Sequence, residues 1–426
     1  LIIPSIDLMG GQAVQLREGR ELVIEAGDPR PIAERFGRVG EIAVIDLDAA
    51  LGTGSNAGLV RELLDIAPCR VGGGIRDVDT AIGWLDDGAS KVILGTAATP
   101  ETLSRLPRER VIAALDARDD QVVVEGWTRG TGARVDDRVD ELREHAGGFL
   151  VTFVEREGHM GGLPAERVRE LAERAGDARL TVAGGVRAPG DVAMADEAGA
   201  DAQVGMALYS GAFDLADGFC APLRTDRPDG LWPTVVADER GVALGLAYSN
   251  LDSVRKSLET GRGVYFSRSR DRLWLKGEFS GSTQDLLRID VDCDRDTLRF
   301  TVRQHGTGFC HTGTETCFGS LTGLPRLDRT VARRLADAPE GSYTARLFSD
   351  ADLLRSKLLE EAGELIDAST PDDAAWEAAD LIYFALVAAH ARGAGLADAE
   401  RVLDERTLRV TRRRGDAKPP KEDAQP

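Results

Sequence analysis

Short apolar runs recur through the first half of the chain and alternate with stretches whose apolar residues fall at helical spacing. The runs are LIIPSIDL, EIAVIDLD, CRVGGGI, SKVILGT, RVIAALDA, GFLVTFVE, RLTVAGGV and ADAQVGMA. Near-continuous apolar runs mark strands covered on both faces, as in parallel sheets flanked by helices. Eight of them with helices between predict a (β/α)8 barrel over residues 1–224. A Pro- and Gly-punctuated junction follows, ADGFCAPLRTDRPDG, and the pattern changes. VVADERGVALGL and GVYFSRSRDRLWLKGEF are β-rich around the helix-like NLDSVRKSLETG, which predicts a small β-rich α+β domain over 225–320. From 326 to 415 the spacing is helical and predicts an all-α bundle. The charged, Pro-containing end, 416–426, reads as a disordered tail.

The barrel segment repeats itself. Gly73, Gly74, Ile75 and Arg76 recur 111 positions on as Gly184, Gly185, Val186 and Arg187; Gly95, beside Thr96, recurs as Gly205, and Asp7 recurs as Asp116. Two half-barrels are implied. Glycine loops at strand ends expose backbone N–H groups that can wrap a phosphate, so two such sets imply a substrate phosphorylated at both ends. Each half also sets one aspartate at the carboxyl end of its first strand, where barrel chemistry occurs. Two opposed carboxylates can divide acid and base roles.

Three of the five cysteines lie between Asp292 and Cys317 with a close set of carboxylates. If DCDRD is extended, alternation points Asp292, Asp294 and Asp296 to one face and Cys293 to the other. The carboxylates suit a hard cation such as Mg²⁺; Cys293, Cys310 and Cys317 suit a zinc ion with one open position. His305 and His311 are candidates for a proton-handling base or a fourth ligand. Ser267, Arg268, Ser269, Arg270 and Lys276 form a polar, basic group suited to phosphate. In the helical region Glu360, Glu361 and Glu364 share one helix edge, and Glu377 and Asp380 sit at i, i+3 on the next. Packed antiparallel, the two helices would form a carboxylate cage for Mg²⁺ bridged to pyrophosphate.

Composition narrows the classes. A chain of 426 residues exceeds one ordinary core, and its net charge of -19 argues against nucleic-acid binding. There is no apolar run of membrane-spanning length and no basic-then-apolar leader at LIIPSIDL, so neither a span nor a secretory signal is expected. The five cysteines fit a reducing, cytoplasmic setting.

Three family resemblances follow. DCDRD, CHTG, the last Cys, YFSRSRDRLWLKGEFSG and DGLWPTVV are similar to phosphoribosyl-AMP cyclohydrolase, which implies zinc-dependent opening of the adenine ring with a nearby base managing protons, for which His311 and His305 are the candidates. It also implies a zinc site shared between two subunits, hence a homodimer. The barrel resembles the phosphoribosylformimino imidazole-carboxamide ribotide isomerase through IIPSIDLMGGQAVQL, VIDLDAALG, VGGGIRDVDTAI, ILGTAA and LDARDDQVVVEGW. By that resemblance Asp7 takes a proton from C2 of the sugar, Asp116 protonates the opening ring oxygen, and Thr152 assists. One departure stands out: Glu157, Gly158 and His159 replace the family's Asp-Gly-Thr, which sets His159 near the expected phosphate loop. GSYTARL with the two carboxylate helices resembles phosphoribosyl-ATP pyrophosphohydrolase, with Lys357 meeting phosphate. These imply three consecutive steps of histidine biosynthesis on phosphoribosyl nucleotides. The rival expectations are a non-catalytic barrel scaffold beside two hydrolases, and a metal-dependent nucleotide sensor without turnover.

Overall fold

All eight apolar runs of the first segment are parallel strands in the computed structural model, which describes residues 1–124, 127 and 129–411. They are β1 (Ile2–Met9), β2 (Ile42–Asp46), β3 (Cys69–Gly72), β4 (Lys91–Leu94), β5 (Val111–Arg118), β6 (Gly148–Phe153), β7 (Arg179–Ala183) and β8 (Ala200–Val204). Each pairs with its neighbours in chain order, β8 pairs with β1, and β5 with β6, so the sheet closes into a barrel. Ile93, Ile112, Leu150 and Ala183 fill its interior, with Ile45 and Ala114 packed against them. The expected disordered tail lies outside the described residues.

The alternation predicts helices between the strands. In addition, β1 and β5 are each followed by an antiparallel hairpin, Gln12–Arg17 with Glu21–Gly27 and Gln121–Val124 with Arg129–Arg134. The duplication extends to these arms: Asp7 pairs with Val14, and Asp116 with Val123, at the same spacing. Short antiparallel arms of this kind come directly after a barrel strand and do not produce the long helical spacing that marks the crossovers.

At the barrel's amino-terminal end, Arg70 is almost fully buried. It pairs with Glu41 and donates to Thr181 Oγ1 across the barrel at 2.9 Å, while Lys91 Nζ lies 3.0 Å from Glu41. Removing Arg70 would leave the mostly buried Glu41 with only the partly exposed Lys91 as a cation partner among the described residues, and Thr181 without its donor. Arg70→Ala is therefore expected to destabilise the barrel by about 3–5 kcal/mol, measured by urea unfolding; a change within about 0.5 kcal/mol would contradict this. The segment after Thr407 joins the same unit: Asp86 accepts from the backbone N–H of Val410 and Thr411 (2.7 and 2.9 Å), and Arg110 donates to Leu408 O (2.9 Å).

The second unit, Leu223–Arg406, holds two substructures. A four-stranded sheet is built from β9 (Trp232–Asp238), β10 (Ala243–Ser249), β11 (Gln284–Val291) and β12 (Leu298–Gln304), in the order β10, β9, β12, β11. The helix Leu251–Thr260 and a two-stranded hairpin, Val264–Ser267 with Arg272–Leu275, complete it. Five helices follow, Gly323–Ala336, Tyr343–Ser349, Ala351–Asp367, Pro371–His390 and Leu396–Leu408, around Val331, Leu347, Leu354, Phe384 and Val387. Thr370 caps the fourth by accepting from Asp373 N, and Pro371 at its first position needs no donor there.

Candidate active sites

Strand register sets the barrel's chemistry. Parallel pairing puts Thr152 of β6 directly beside Asp116 of β5, whereas the matching neighbour of Asp7 on β1 is Ile45. Ser5, two residues before Asp7 on the same face, donates to it at 3.0 Å, while the matching position before Asp116 is Ala114. The two related aspartates thus have different donors: Ser5 for Asp7, Trp127 and Thr152 for Asp116. Burial raises both above the ordinary carboxylate range, Asp7 to about 6.

Asp7, Asp116, Thr152, Gly73, Gly74, Arg76, Gly95, Thr96, Gly184, Gly185 and Gly205 all line one cavity of about 600 Å³. The leading glycines are required. Gly73 and Gly184 have φ of 94° and 83°, and a Cβ would stand 2.2 Å from Asp46 O and 2.4 Å from Phe153 O. Any side chain would push the loop off the strand end and tilt its N–H groups out of the cavity.

Glu157 lies in the same cavity. Burial, then the charges of Asp7 and Asp116, push it up to about 8. His159 sits between Gly158 and Met160, which line the cavity, and its own Nε2 lies 2.8 Å from Glu18 Oε1, tying the loop after β6 to the first hairpin. The same seam includes Glu18 N to Glu157 O at 3.3 Å and the Trp127 ring packed on Gly19. A carboxyl group whose folded-state value is raised stabilises below its unfolded value of 4.5, and that contribution is lost as pH rises through about 8. Glu157→Gln should therefore stabilise the barrel at pH 8 by on the order of 1–3 kcal/mol and flatten its decline between pH 5 and 8. Urea unfolding across that range checks this, and equal slopes in both proteins would contradict it.

In the second unit the DCDRD segment is not a strand. β11 ends at Val291 and β12 begins at Leu298, so residues 292–297 form the turn between antiparallel strands. The turn succeeds where alternation does not apply: Asp292 accepts from Asp296 N and Thr297 N, Arg295 is left-handed (φ 68°), and one oxygen each of Asp292, Asp294 and Asp296 lies within 4.8 Å of the others. Cys293 is exposed on this turn. Cys310 and Cys317 lie together on the loop after β12, within hydrogen-bond reach of each other, and Cys293 does not join them within one chain. Hydrogen bonds from Thr312 and Thr314 draw the Cys310 thiol down to about 6, while burial and the neighbouring Cys310 raise Cys317.

The basic group is split. Ser267, Ser269 and Arg270 sit at the tip of the Val264–Leu275 hairpin, and Arg268 stacks on Tyr248 with 3.8 Å to the ring centre. Lys276 does not join them: it is buried over the Phe309 ring (4.9 Å), beside the Cys310 and Cys317 thiols, with no carboxylate partner among the described residues. His305 Nε2 is bound to Asp285 at 2.7 Å, which leaves its Nδ1 as the nitrogen for a ligand or base role, whereas His311 is exposed next to Cys310.

The carboxylate helices meet as their spacing predicts. Glu360, Glu361 and Glu364 form one group and Glu361, Glu377 and Asp380 a second, each with oxygens within 4.8 Å, so Glu361 belongs to both and is the most buried. Slight burial and its acidic neighbours raise Glu377. Lys357 Nζ lies 2.7 Å from Glu360 and 2.9 Å from Glu361, so its ammonium sits where a cation is wanted. Hard oxygen donors at the helices and paired thiols on the loop fit a hard and a soft metal ion respectively.

A barrel whose duplicated glycine loops and two aspartates line one cavity, joined to a thiol-bearing and a carboxylate-bearing domain, defines a multidomain enzyme. Residues 1–214 match the family described as Histidine biosynthesis protein, 245–319 Phosphoribosyl-AMP cyclohydrolase, and 324–407 Phosphoribosyl-ATP pyrophosphohydrolase. The chain belongs to the histidine biosynthesis protein family and carries the two hydrolase domains after it. It is similar to the Histidine biosynthesis trifunctional protein of Neurospora crassa, 57% identical over 195 residues, 46% of this chain and 22% of that one. Against the Histidine biosynthesis bifunctional protein his7 of Schizosaccharomyces pombe it is 55% identical over 204 residues, 48% and 49% of the two chains. A phosphoribosyl imidazole-4-carboxamide isomerase of Methanosphaerula palustris is 41% identical over 231 residues, 51% of this chain and 97% of that one. The chain spans between about a fifth and a half of the length of these fungal relatives. Among the described residues no helix is long and apolar enough to cross a membrane.

Proposed function

We propose that this chain carries out three consecutive steps of histidine biosynthesis, in an order opposite to that of its domains. The helical domain hydrolyses phosphoribosyl-ATP to phosphoribosyl-AMP and pyrophosphate. Glu360, Glu361, Glu364, Glu377 and Asp380 hold Mg²⁺, and Lys357 moves from its carboxylates to a substrate phosphate. The middle domain opens the adenine ring between N1 and C6. Cys293, Cys310 and Cys317 hold Zn²⁺, and Asp292, Asp294 and Asp296 hold Mg²⁺. When bound, these metals supply water activation and charge neutralisation. His311 handles the protons, and Ser267, Arg268 and Arg270 contact phosphate. In the barrel the doubled glycine loops, with Arg76 and Thr96, hold the two phosphates. Asp116 protonates the sugar ring oxygen as its bond to C1 breaks, and Asp7 removes the proton at C2, converting aminoaldose to aminoketose with Thr152 orienting Asp116.

The observation that carries this reading is the meeting of both aspartates and both glycine sets in one barrel cavity, since a scaffold has no need of such a site. A homodimer is part of the proposal. It is supported by the separation of Cys293 from the other two thiols and by the exposure of Leu359, Ile366 and Trp376 on the carboxylate helices. The domains from 225 to 320 and 326 to 415 are proposed as the two hydrolytic units, in a cytoplasmic setting consistent with five free cysteines. A sensor without turnover is tested by pyrophosphate release from phosphoribosyl-ATP with Mg²⁺. Release is expected, reduced by at least about tenfold in Glu361→Gln; no release from the unmodified chain would favour the sensor.

A further inference from the structure

Because the barrel is doubled, each half serves as a control for the other. The turn after β1, Gly10–Gly11, and the turn after β5, Asp119–Asp120, occupy matching positions and both are left-handed, with φ of 58° and 81° against 49° and 64°. In the first half the space behind the turn is filled by a polar plug. Asp48 accepts from Gly10 N at 2.7 Å, Asn56 accepts from Gly11 N at 2.9 Å, and Asn56 Nδ2 donates to Asp46 and Asp48 at 2.7 and 3.0 Å.

The second half has lost it. Strand register aligns Asp46 with Phe153 and Asp48 with Glu155, and the helix starts at Ala57 and Ala165 align Asn56 with Pro164. An aromatic ring and a residue without N–H or side-chain donor therefore stand where the plug's central bonds were made. What remains is a cavity of about 340 Å³, separate from the main site, at the small end of the roughly 300–1,000 Å³ usual for small-molecule sites.

Its inner wall is Phe153, 6% exposed, backed by the fully buried Val151 and Leu171, and its rim carries both charge signs. Arg167 is already engaged by Asp120 and Asp136, at 2.6 and 2.7 Å. Two adjacent rim residues are not. Arg156 donates to Gly162 O at 2.9 Å but pairs with no carboxylate among the described residues, and Glu155 is exposed and pairs with no cation among them. A phosphate placed here would face Asp120, Asp136, Glu155 and Glu170 around the same rim, an arrangement that disfavours a pure anion. A zwitterion matches both signs.

We infer that this cavity binds a free amino acid, with its carboxylate on Arg156, its ammonium on Glu155 and its side chain over Phe153. Calorimetric titration of the full chain with L-phenylalanine and L-histidine, with acetate and inorganic phosphate as controls, tests this. One binding event per chain is expected with at least one amino acid, weakened about tenfold or more by Arg156→Ala, and not displaced by either control. No binding of either amino acid, undiminished binding in Arg156→Ala, or displacement by phosphate would each overturn it. The double substitution Phe153→Asp with Pro164→Asn rebuilds the plug. If that variant keeps the circular dichroism of the parent chain and still binds, the site is not this cavity; if it does not fold, the Arg156→Ala titration decides.

Discussion

Asp7→Asn is expected to lower aminoaldose isomerisation by about 10²–10⁴-fold while leaving pyrophosphate release and ring opening unchanged. The substitution is nearly isosteric and keeps an acceptor for Ser5, so the barrel should fold and bind substrate as before. What it removes is the group that takes the C2 proton. Burial holds Asp7 near 6, which sets the pH dependence: only the ionised form accepts a proton, so kcat/KM of the unmodified chain should fall about tenfold per pH unit below 6. The Asn variant should lose that limb. An unmodified barrel with no isomerase activity to lose would favour the scaffold reading, and a variant with full activity would reassign the base to Glu157, the third carboxyl group in the cavity.

The second large effect concerns the thiols. Cys293→Ser and Cys310→Ser should each lower ring opening by more than about 10²-fold, because a three-thiolate zinc site does not survive loss of a ligand unharmed. Mixed and allowed to exchange subunits, the two variants should recover about a quarter of the parent activity. Half of the randomly formed dimers are mixed, and each mixed dimer has one of its two shared sites intact. The prediction rests on Cys293 lying apart from Cys310 and Cys317 within one chain. Failure of the mixture to recover activity, with exchange verified by a mass tag, would place all three thiols on one subunit.

Much of this architecture was legible before any coordinates. Eight buried strands announce themselves as apolar runs, and a duplicated Gly-Gly-x-Arg locates two loops whose glycines are required by backbone approach. Residues at i, i+3 and i, i+4 on a helix must share an edge, which is why the Glu361 cluster was foreseen residue by residue. Turns are harder. DCDRD gathers its carboxylates through a tight loop that alternation cannot describe, and the outer arm of the second hairpin, RGTGAR, carries a single apolar residue. Polar partners were the least visible: Ser5 on Asp7, Trp127 on Asp116, His159 on Glu18 and Lys276 beside the thiols are contacts between distant residues of unremarkable type. One signal was available. The self-comparison that paired Asp7 with Asp116 also sets Ser5 against Ala114, one of the mismatches by which the two aspartates acquire different donors; the other, Ile45 against Thr152, needs the strand register.

The central claim is that a single chain converts phosphoribosyl-ATP through three successive products. The most direct measurement supplies the purified full chain with phosphoribosyl-ATP, Zn²⁺ and Mg²⁺ and resolves the product by mass and chromatography, coupled to an enzyme that consumes only the aminoketose. Accumulation of the ring-opened aminoketose is predicted; product arrested at phosphoribosyl-AMP or at the aminoaldose would contradict it.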